Sequence, residues 1–244
     1  MERYVIAARA TRYSPADLGG LPDPVARYFA FALTPGQRIV RRARMEQQGE
    51  LATRPGAWSR FTATQQVSVS PPRFVWDARI RLAPLLTAHV RDSYVDGVGA
   101  MHGTLAGFIP LVDRHGTREM AVSSLQRCLA EAPWIPTALL PSADLQWSAV
   151  DDGTARATLT HHGLSAWVDF HFGATGEIVG ISAKRYRDVR GTPVMTPWVG
   201  RFWDYVRVDR MMVPSRGEIA WVLPEGRSPY WRGQITRAHY ERAA

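Results

Sequence analysis

The chain has 244 residues, 45% of them hydrophobic, which is enough to bury a sizeable core within one domain. Its formal net charge is +8, but Lys184 is the only lysine and the arginines are scattered through nearly every segment, so we expect no nucleic-acid partner. Cys128 is the only cysteine, which excludes an intramolecular disulfide, and we expect it to be a buried core thiol.

The N-terminal part holds a short apolar stretch and an amphipathic helix. Residues 4–10 are too few for a secretion signal, and no apolar run in the sequence is long enough to span a membrane, so we expect a cytoplasmic protein without a transmembrane segment. Asp23 as the N-cap and Pro24 in the first turn precede apolar residues at helical spacing. The sequence therefore predicts a helix over residues 23–34.

Alternation of apolar and polar residues dominates residues 37–112. In the clearest segment, Trp76 and Ile80 alternate with Asp77 and Arg79, which gives the strand one dry face and one charged face. Glycines at 97, 99, 103 and 107 predict a bent or loop-like passage after the last of these strands. The predicted strands are residues 39–51, 58–69, 73–82 and 86–101.

A second helix and a strand meander follow. Thr117 as N-cap and Glu119 in the first turn predict a helix over residues 117–132, which Pro133 ends before a proline-rich turn. Short glycine-containing connections then separate strands at 145–150, 155–160, 164–172 and 177–186, with further strands within 201–208, 218–223 and 230–240. We predict a single domain over residues 1–244, mainly β (α+β). Its sheet halves, 37–112 and 145–240, form a strongly curved antiparallel sheet or incomplete barrel with a few short helices over the concave side.

Three segments resemble a bacterial family of unknown function, the DUF6544 group (formerly DUF6920). They are residues 74–80 (FVWDARI), 129–141 (LAEAPWIPTALLP) and 230–233 (YWRG). This resemblance runs from about residue 21 to residue 240 and implies no activity. The order of elements also resembles the lipoprotein carriers of LolA and LppX type, which implies a curved, incompletely closed sheet whose concavity holds acyl chains.

The sequence contains no recognisable catalytic or cofactor motif. Its seven histidines lack a metal-ligand spacing, and the side chains of the adjacent His161 and His162 diverge on an extended backbone, so we predict no metal site. Cys128 lies on the predicted apolar face of its helix, where a thiol is usually inert. A nucleophile elbow, a P-loop and a dinucleotide fingerprint are missing from the sequence, and we predict no cofactor.

Charged residues next to aromatic ones are the remaining candidates. The row formed by Asp77, Arg79 and Arg81 is solvated if the Trp76 face is covered, and becomes a buried polar site if the row itself faces a cavity. Glu131 lies at a helix end, where it opposes the helix dipole and needs a partner such as Arg185, Arg187 or Arg232. With nine tryptophans in the chain, we expect some of them to line a cleft.

These features predict a binder or carrier of a hydrophobic or amphipathic small molecule, such as a lipid, between the concave face and the helix at 117–132. One alternative is an enzyme with four charges around one pocket, in which Asp77 or Glu131 acts as acid or base while Arg79 and Arg185 orient an anionic substrate. The other is an interaction module with a basic surface. We favour the binder, without catalytic residues, and the oligomeric state is left open. The predicted ligand-binding residues are Trp76, Asp77, Arg79, Glu131, Trp134, Arg185, Tyr186 and Trp231.

Overall fold

A computed structural model describes residues 11–54 and 56–244 and shows a long antiparallel sheet with few helices. Helix α1 is Asp23–Ala32 and helix α2 is Arg118–Ala130, and short 3₁₀ helices occur at Pro15–Leu18, Ala132–Trp134 and Pro136–Leu139. Strands β1 to β6 are Val40–Arg54, Ala57–Ser68, Arg73–Ala83, Leu86–Val95, Val98–Leu105 and Ile109–His115. Strands β7 to β13 are Leu145–Asp151, Thr154–His161, Leu164–Phe172, Ile178–Val189, Thr192–Val208, Met211–Leu223 and Gly226–Arg242. The apolar residues 4–10 lie outside the described part.

All of these strands belong to one sheet, in the order β6-β5-β4-β3-β2-β1-β13-β12-β11-β10-β9-β8-β7. Consecutive strands form antiparallel neighbours within each half, and the pairing of β1 with β13 joins the halves. The edge strands β6 and β7 do not pair with each other, so the sheet of the described residues stays open. The predicted fold class, a mainly β protein with a curved, incompletely closed antiparallel sheet, is confirmed.

Helix α2 connects the two edge strands and packs inside the curve. It contacts β5 in one half of the sheet and β9 in the other. The Gln126 side-chain nitrogen donates to the carbonyl oxygens of Trp167 at 2.8 Å and Lys184 at 3.1 Å. Beyond the helix, Tyr94 Oη of β4 lies 2.8 Å from His161 Nδ1 of β8. The two halves of the sheet therefore meet around α2, which covers the concave face.

The helices lie where the sequence places them, with small differences at their ends. Thr117 caps α2 as predicted, because its side chain accepts a hydrogen bond from the Met120 backbone nitrogen at 3.2 Å. At α1 the N-cap position is Pro22, and Asp23 is already helical without a side-chain cap bond. Among the described residues no helix combines the length and the apolar character needed to cross a bilayer.

The predicted strand over residues 86–101 is wrong, because it is a hairpin. Asp96 and Gly97 have φ values of 50° and 83° and form the turn between β4 and β5. An Asp-Gly pair with positive φ at both positions is typical of a tight hairpin turn. A second turn, at Ala106 and Gly107, leads into β6, so the passage predicted to be loop-like is also strand.

The C-terminal strands are longer than predicted because their prolines do not interrupt them. Pro193 and Pro197 lie in the first part of β11, which pairs with β10 but not yet with β12. A proline is tolerated there because its missing N–H is not needed by a second neighbour. This extension carries Trp198 onto the concave face.

Candidate functional site

A cavity of about 330 Å³ lies between α2, the turn after it and the concave face of the sheet. Most of its lining is apolar, and it comes from both halves of the sheet. The described lining also includes four charged residues, Asp92, Arg127, Glu131 and Arg185. Its aromatic residues are Trp76, Trp134, Trp198, Phe202, Tyr230 and Trp231. An apolar concave site with a few polar groups is the usual form of a small-molecule site.

Two glycines allow the close packing around Trp231, which lines this cavity. Gly49 of β1 pairs with Gly233 of β13. A Cβ atom on Gly233 would lie 2.2 Å from Cζ2 of Trp231, and one on Gly49 would lie 2.0 Å from the carbonyl oxygen of Arg232. The missing Cβ of Gly233 lets the Trp231 ring fold over the sheet backbone, where it packs 6.1 Å from the Phe61 ring, and the missing Cβ of Gly49 lets the backbone of β13 come close.

Arg127 is the centre of an ion cluster at one side of the cavity. Its Nε donates to Glu131 Oε1 at 2.7 Å and its Nη1 donates to Asp92 Oδ2 at 2.6 Å. Its guanidinium lies 4.7 Å from the Phe74 ring centroid and 5.2 Å from that of Trp76. Burial opposes the charge, but the carboxylates of Glu131 and Asp92 raise the pKa of Arg127 above its usual value. Arg127 therefore keeps its charge, and its two ion pairs join α2 to β4.

A chain of side-chain hydrogen bonds extends this cluster under the helix. Gln65 Nε2 donates to Glu131 Oε2, and Gln47 Nε2 donates to Gln65 Oε1, both at 2.6 Å. Trp76 Nε1 then donates to Gln47 Oε1 at 2.9 Å. Both oxygens of Glu131 therefore accept hydrogen bonds, which leaves this carboxylate in a structural role. Its ion-pair partner is Arg127 of its own helix, and not Arg185, Arg187 or Arg232 as expected.

Arg185 contrasts with Arg127, because no carboxylate of the described residues lies within ion-pair distance of it. Its guanidinium lies over the Trp198 ring, 4.9 Å from the centroid. Nη1 donates to Tyr230 Oη and Nη2 donates to the Ser123 carbonyl oxygen, both at a long 3.3 Å. Tyr230 Oη also accepts from Trp198 Nε1 at 2.9 Å. Arg185 is thus a cation in the cavity that has no charged partner within residues 11–54 and 56–244.

The structure brings together five of the eight predicted ligand-binding residues. Trp76, Glu131, Trp134, Arg185 and Trp231 line the cavity. Asp77 and Arg79 do not reach it: they lie on the opposite face of β3, where Asp77 pairs with Arg91 at 3.2 Å. Tyr186 is also absent from the lining, because it follows Arg185 on a strand and points to the other face. The four charges that the enzyme alternative requires around one pocket are therefore separated by the sheet.

Sequence reasoning missed Asp92, Arg127, Trp198 and Tyr230. Arg127 had a readable signal, because it precedes Glu131 by four residues on a helix, which places the two side chains together. Asp92 pairs with Trp76 across β3 and β4, and the predicted strand ends at residues 82 and 86 imply this same register, so Asp92 was also within reach of the sequence. Trp198 follows two prolines and was excluded from the predicted strand.

Among the histidines and the cysteine considered for metal binding or catalysis, His171 and Cys128 take part in local structure. His171 bridges two hydroxyls, with Nδ1 at 3.2 Å from Thr154 Oγ1 and Nε2 at 2.9 Å from Ser182 Oγ. Burial raises the pKa of the Cys128 thiol, and the Glu131 carboxylate adds to this effect. Across residues 11–54 and 56–244, no three His, Cys, Asp or Glu side chains form a group suited to a metal ion.

Comparisons with known proteins identify a family but no activity. A LolA superfamily protein, NE2245 from Nitrosomonas europaea, aligns over 91% of this chain and 93% of its own, with 8% identity and a TM-score of 0.36. No curated protein matches the chain. A family model described as a family of unknown function, DUF6920, matches residues 19–240, so the older of the two numbers is supported and DUF6544 is not. The chain belongs to this family of unknown function, DUF6920.

Proposed function

We propose that the protein binds a small amphipathic acid in the cavity between α2 and the concave face of the sheet. The observation that carries the proposal is the presence of Arg185, a cation without a carboxylate partner among the described residues, in a lining that is mostly apolar and aromatic. A molecule with an apolar body and one acidic group matches both parts of this lining.

The apolar body of the ligand is supported by the aromatic wall. Trp76, Trp134 and Trp231 present ring surface from β3, from the turn after α2 and from β13. Burying an alkyl chain against such surface gains about 25 cal/mol per Å² of apolar area removed from water. A volume of about 330 Å³ suits a medium-length alkyl chain or a compact ring system.

The position of the acidic group follows from the distribution of charge. Asp92, Arg127 and Glu131 together carry a net negative charge, so an incoming anion is repelled at that side. Arg185 attracts it, and the ring of Trp198 holds the guanidinium in place. We therefore expect the carboxylate of the ligand at Arg185 and its alkyl part along the tryptophans.

Filling the cavity tests the proposal. Ile219 lines it and is partly exposed, so the larger side chain in Ile219→Trp occupies ligand space at limited cost to packing. In isothermal titration calorimetry with dodecanoic acid, we expect wild type to bind and Ile219→Trp to bind about tenfold more weakly or worse. Val222→Trp lies on the same strand outside the cavity and is the matched control. Equal binding by wild type and Ile219→Trp would contradict the proposal.

A further inference from the structure

Two neighbouring hairpins carry large apolar side chains into solvent at one end of the sheet. Leu85 is 100% exposed and Phe108 is 75% exposed. Around them Leu82, Leu86 and Ile109 have exposed fractions of 37% to 46%. We call these five residues the hairpin-tip patch. A contiguous apolar patch of this kind marks an interaction surface, whereas single exposed leucines do not.

The strand register places the two hairpin tips side by side. Leu85 lies in the turn between β3 and β4, which closes with the pair Ala83 and Leu86. Phe108 lies in the turn between β5 and β6. Strands β4 and β5 are neighbours, and the Ala106 backbone nitrogen donates to the Thr87 carbonyl oxygen at 2.9 Å. The patch is therefore one surface built by two hairpins.

An arginine-rich groove begins next to the patch on the outer face of the sheet. This groove has a volume of about 890 Å³, and its lining includes five arginines but only Glu50 as a carboxylate among the described residues. Arg60, Arg79 and Arg81 are exposed and have no described carboxylate within 4.0 Å. Arg81 lies two residues before the end of β3, a distance of about 7 Å along the strand, so it is close to the hairpin tip. An apolar tip beside uncompensated arginines is complementary to lipid tails below anionic headgroups.

We infer that this end of the sheet docks onto the surface of an anionic lipid bilayer, with Leu85 and Phe108 entering the headgroup region and Arg60, Arg79 and Arg81 facing lipid phosphates. The inference is independent of the ligand in the cavity. A second copy of the chain fits the surface less well. In a two-fold contact each patch meets its equivalent, which brings the unpaired arginines of both copies together.

Vesicle co-sedimentation of the full chain tests the inference. We expect the protein to sediment with vesicles containing one-third phosphatidylglycerol and much less with pure phosphatidylcholine, and added salt to weaken this binding. Leu85→Asp/Phe108→Asp should reduce vesicle binding by about tenfold or more, since it replaces the inserted apolar groups by charges. Val150→Asp/Val206→Asp, at two exposed valines away from the patch, adds the same charge and should bind like wild type.

Three outcomes would overturn the inference: equal binding to both vesicle types, unchanged binding by Leu85→Asp/Phe108→Asp, or an equal loss in the valine control. Arg60→Gln/Arg81→Gln keeps the apolar tips and should lose the preference for phosphatidylglycerol. Sedimentation velocity supplies a further decisive result. If wild type is a dimer and Leu85→Asp/Phe108→Asp is a monomer, the patch is a self-association surface instead. Vesicle binding with no binding of dodecanoic acid would refute the proposed function and leave this inference intact.

Discussion

Glu131 on the concave face is half-buried, Glu218 on the outer face is buried, and both carboxylates contact arginine. The number of arginines around each carboxylate differs. Three arginines surround Glu218: Arg201 Nη2 lies at 2.7 Å, Arg227 Nη1 at 2.5 Å and Arg232 Nε at 2.6 Å. On the concave face one arginine, Arg127, pairs with two carboxylates, while Arg185 in the same cavity pairs with none in the part of the chain that the structure describes.

This difference separates a structural cluster from a candidate site. Glu218 ties β11, β12 and β13 together with partly exposed arginines, which reach water with their remaining N–H groups. On the concave face the charged side chains lie among aromatic rings and are less exposed, at 15% for Arg127 and 20% for Glu131. An unpaired cation in such surroundings is costly unless something neutralises it, so it is the stronger sign of a ligand.

The largest effect should come from Arg127→Met. The substitution leaves Asp92 and Glu131 facing each other without a cation, and both have little exposure. We expect the free energy of unfolding to fall by about 3 to 5 kcal/mol. Urea denaturation of both proteins measures this free energy. Arg156→Met is the control, because Arg156 makes a bidentate pair with Asp169 but is 39% exposed, and its loss should cost about 1 kcal/mol. Equal costs for the two substitutions would show that burial does not distinguish them.

A smaller fall in the free energy of unfolding, about 2 kcal/mol at neutral pH, is expected for Glu218→Gln, since three hydrogen bonds between arginine and a carboxylate lose the negative partner. Burial works against the Glu218 charge, but the hydrogen bonds from Arg227, Arg201 and Arg232 lower its pKa from 4.5 to about 2. The stabilisation is therefore complete above pH 4.5 and is lost as the pH falls toward 2. Unfolding free energies of wild type and Glu218→Gln should converge over that range, and a constant gap would contradict the assignment.

The smallest effect on stability is predicted for Arg185→Gln. It removes a cation–π contact with Trp198 and two long hydrogen bonds, but it strands no carboxylate. We expect the free energy of unfolding to change by about 1 kcal/mol or less, measured by the same denaturation. A loss as large as that of Arg127→Met would mean that Arg185 is a structural residue.

Much of the fold could be predicted from the sequence because period-two alternation and helix caps are local signals. The alternation also shows that two of the predicted ligand-binding residues cannot line the same cavity. Trp76 and Asp77 are adjacent on a strand, so their side chains must face opposite sides of the sheet. The predicted ligand-binding residues include both because the sequence leaves open which face of this strand is covered. Trp198 could not be found, since it depends on a strand extension that only the pairing between strands defines. Arg127 was within reach through its spacing from Glu131.

Calorimetric titration with an acid and an alcohol of the same chain length tests the central claim most directly. Wild type should bind dodecanoic acid about tenfold more tightly than dodecanol, because only the acid pairs with Arg185. In Arg185→Gln the two ligands should bind with similar affinity. If wild type does not distinguish the acid from the alcohol, or if Arg185→Gln keeps the full preference for the acid, Arg185 is not the group that recognises the ligand.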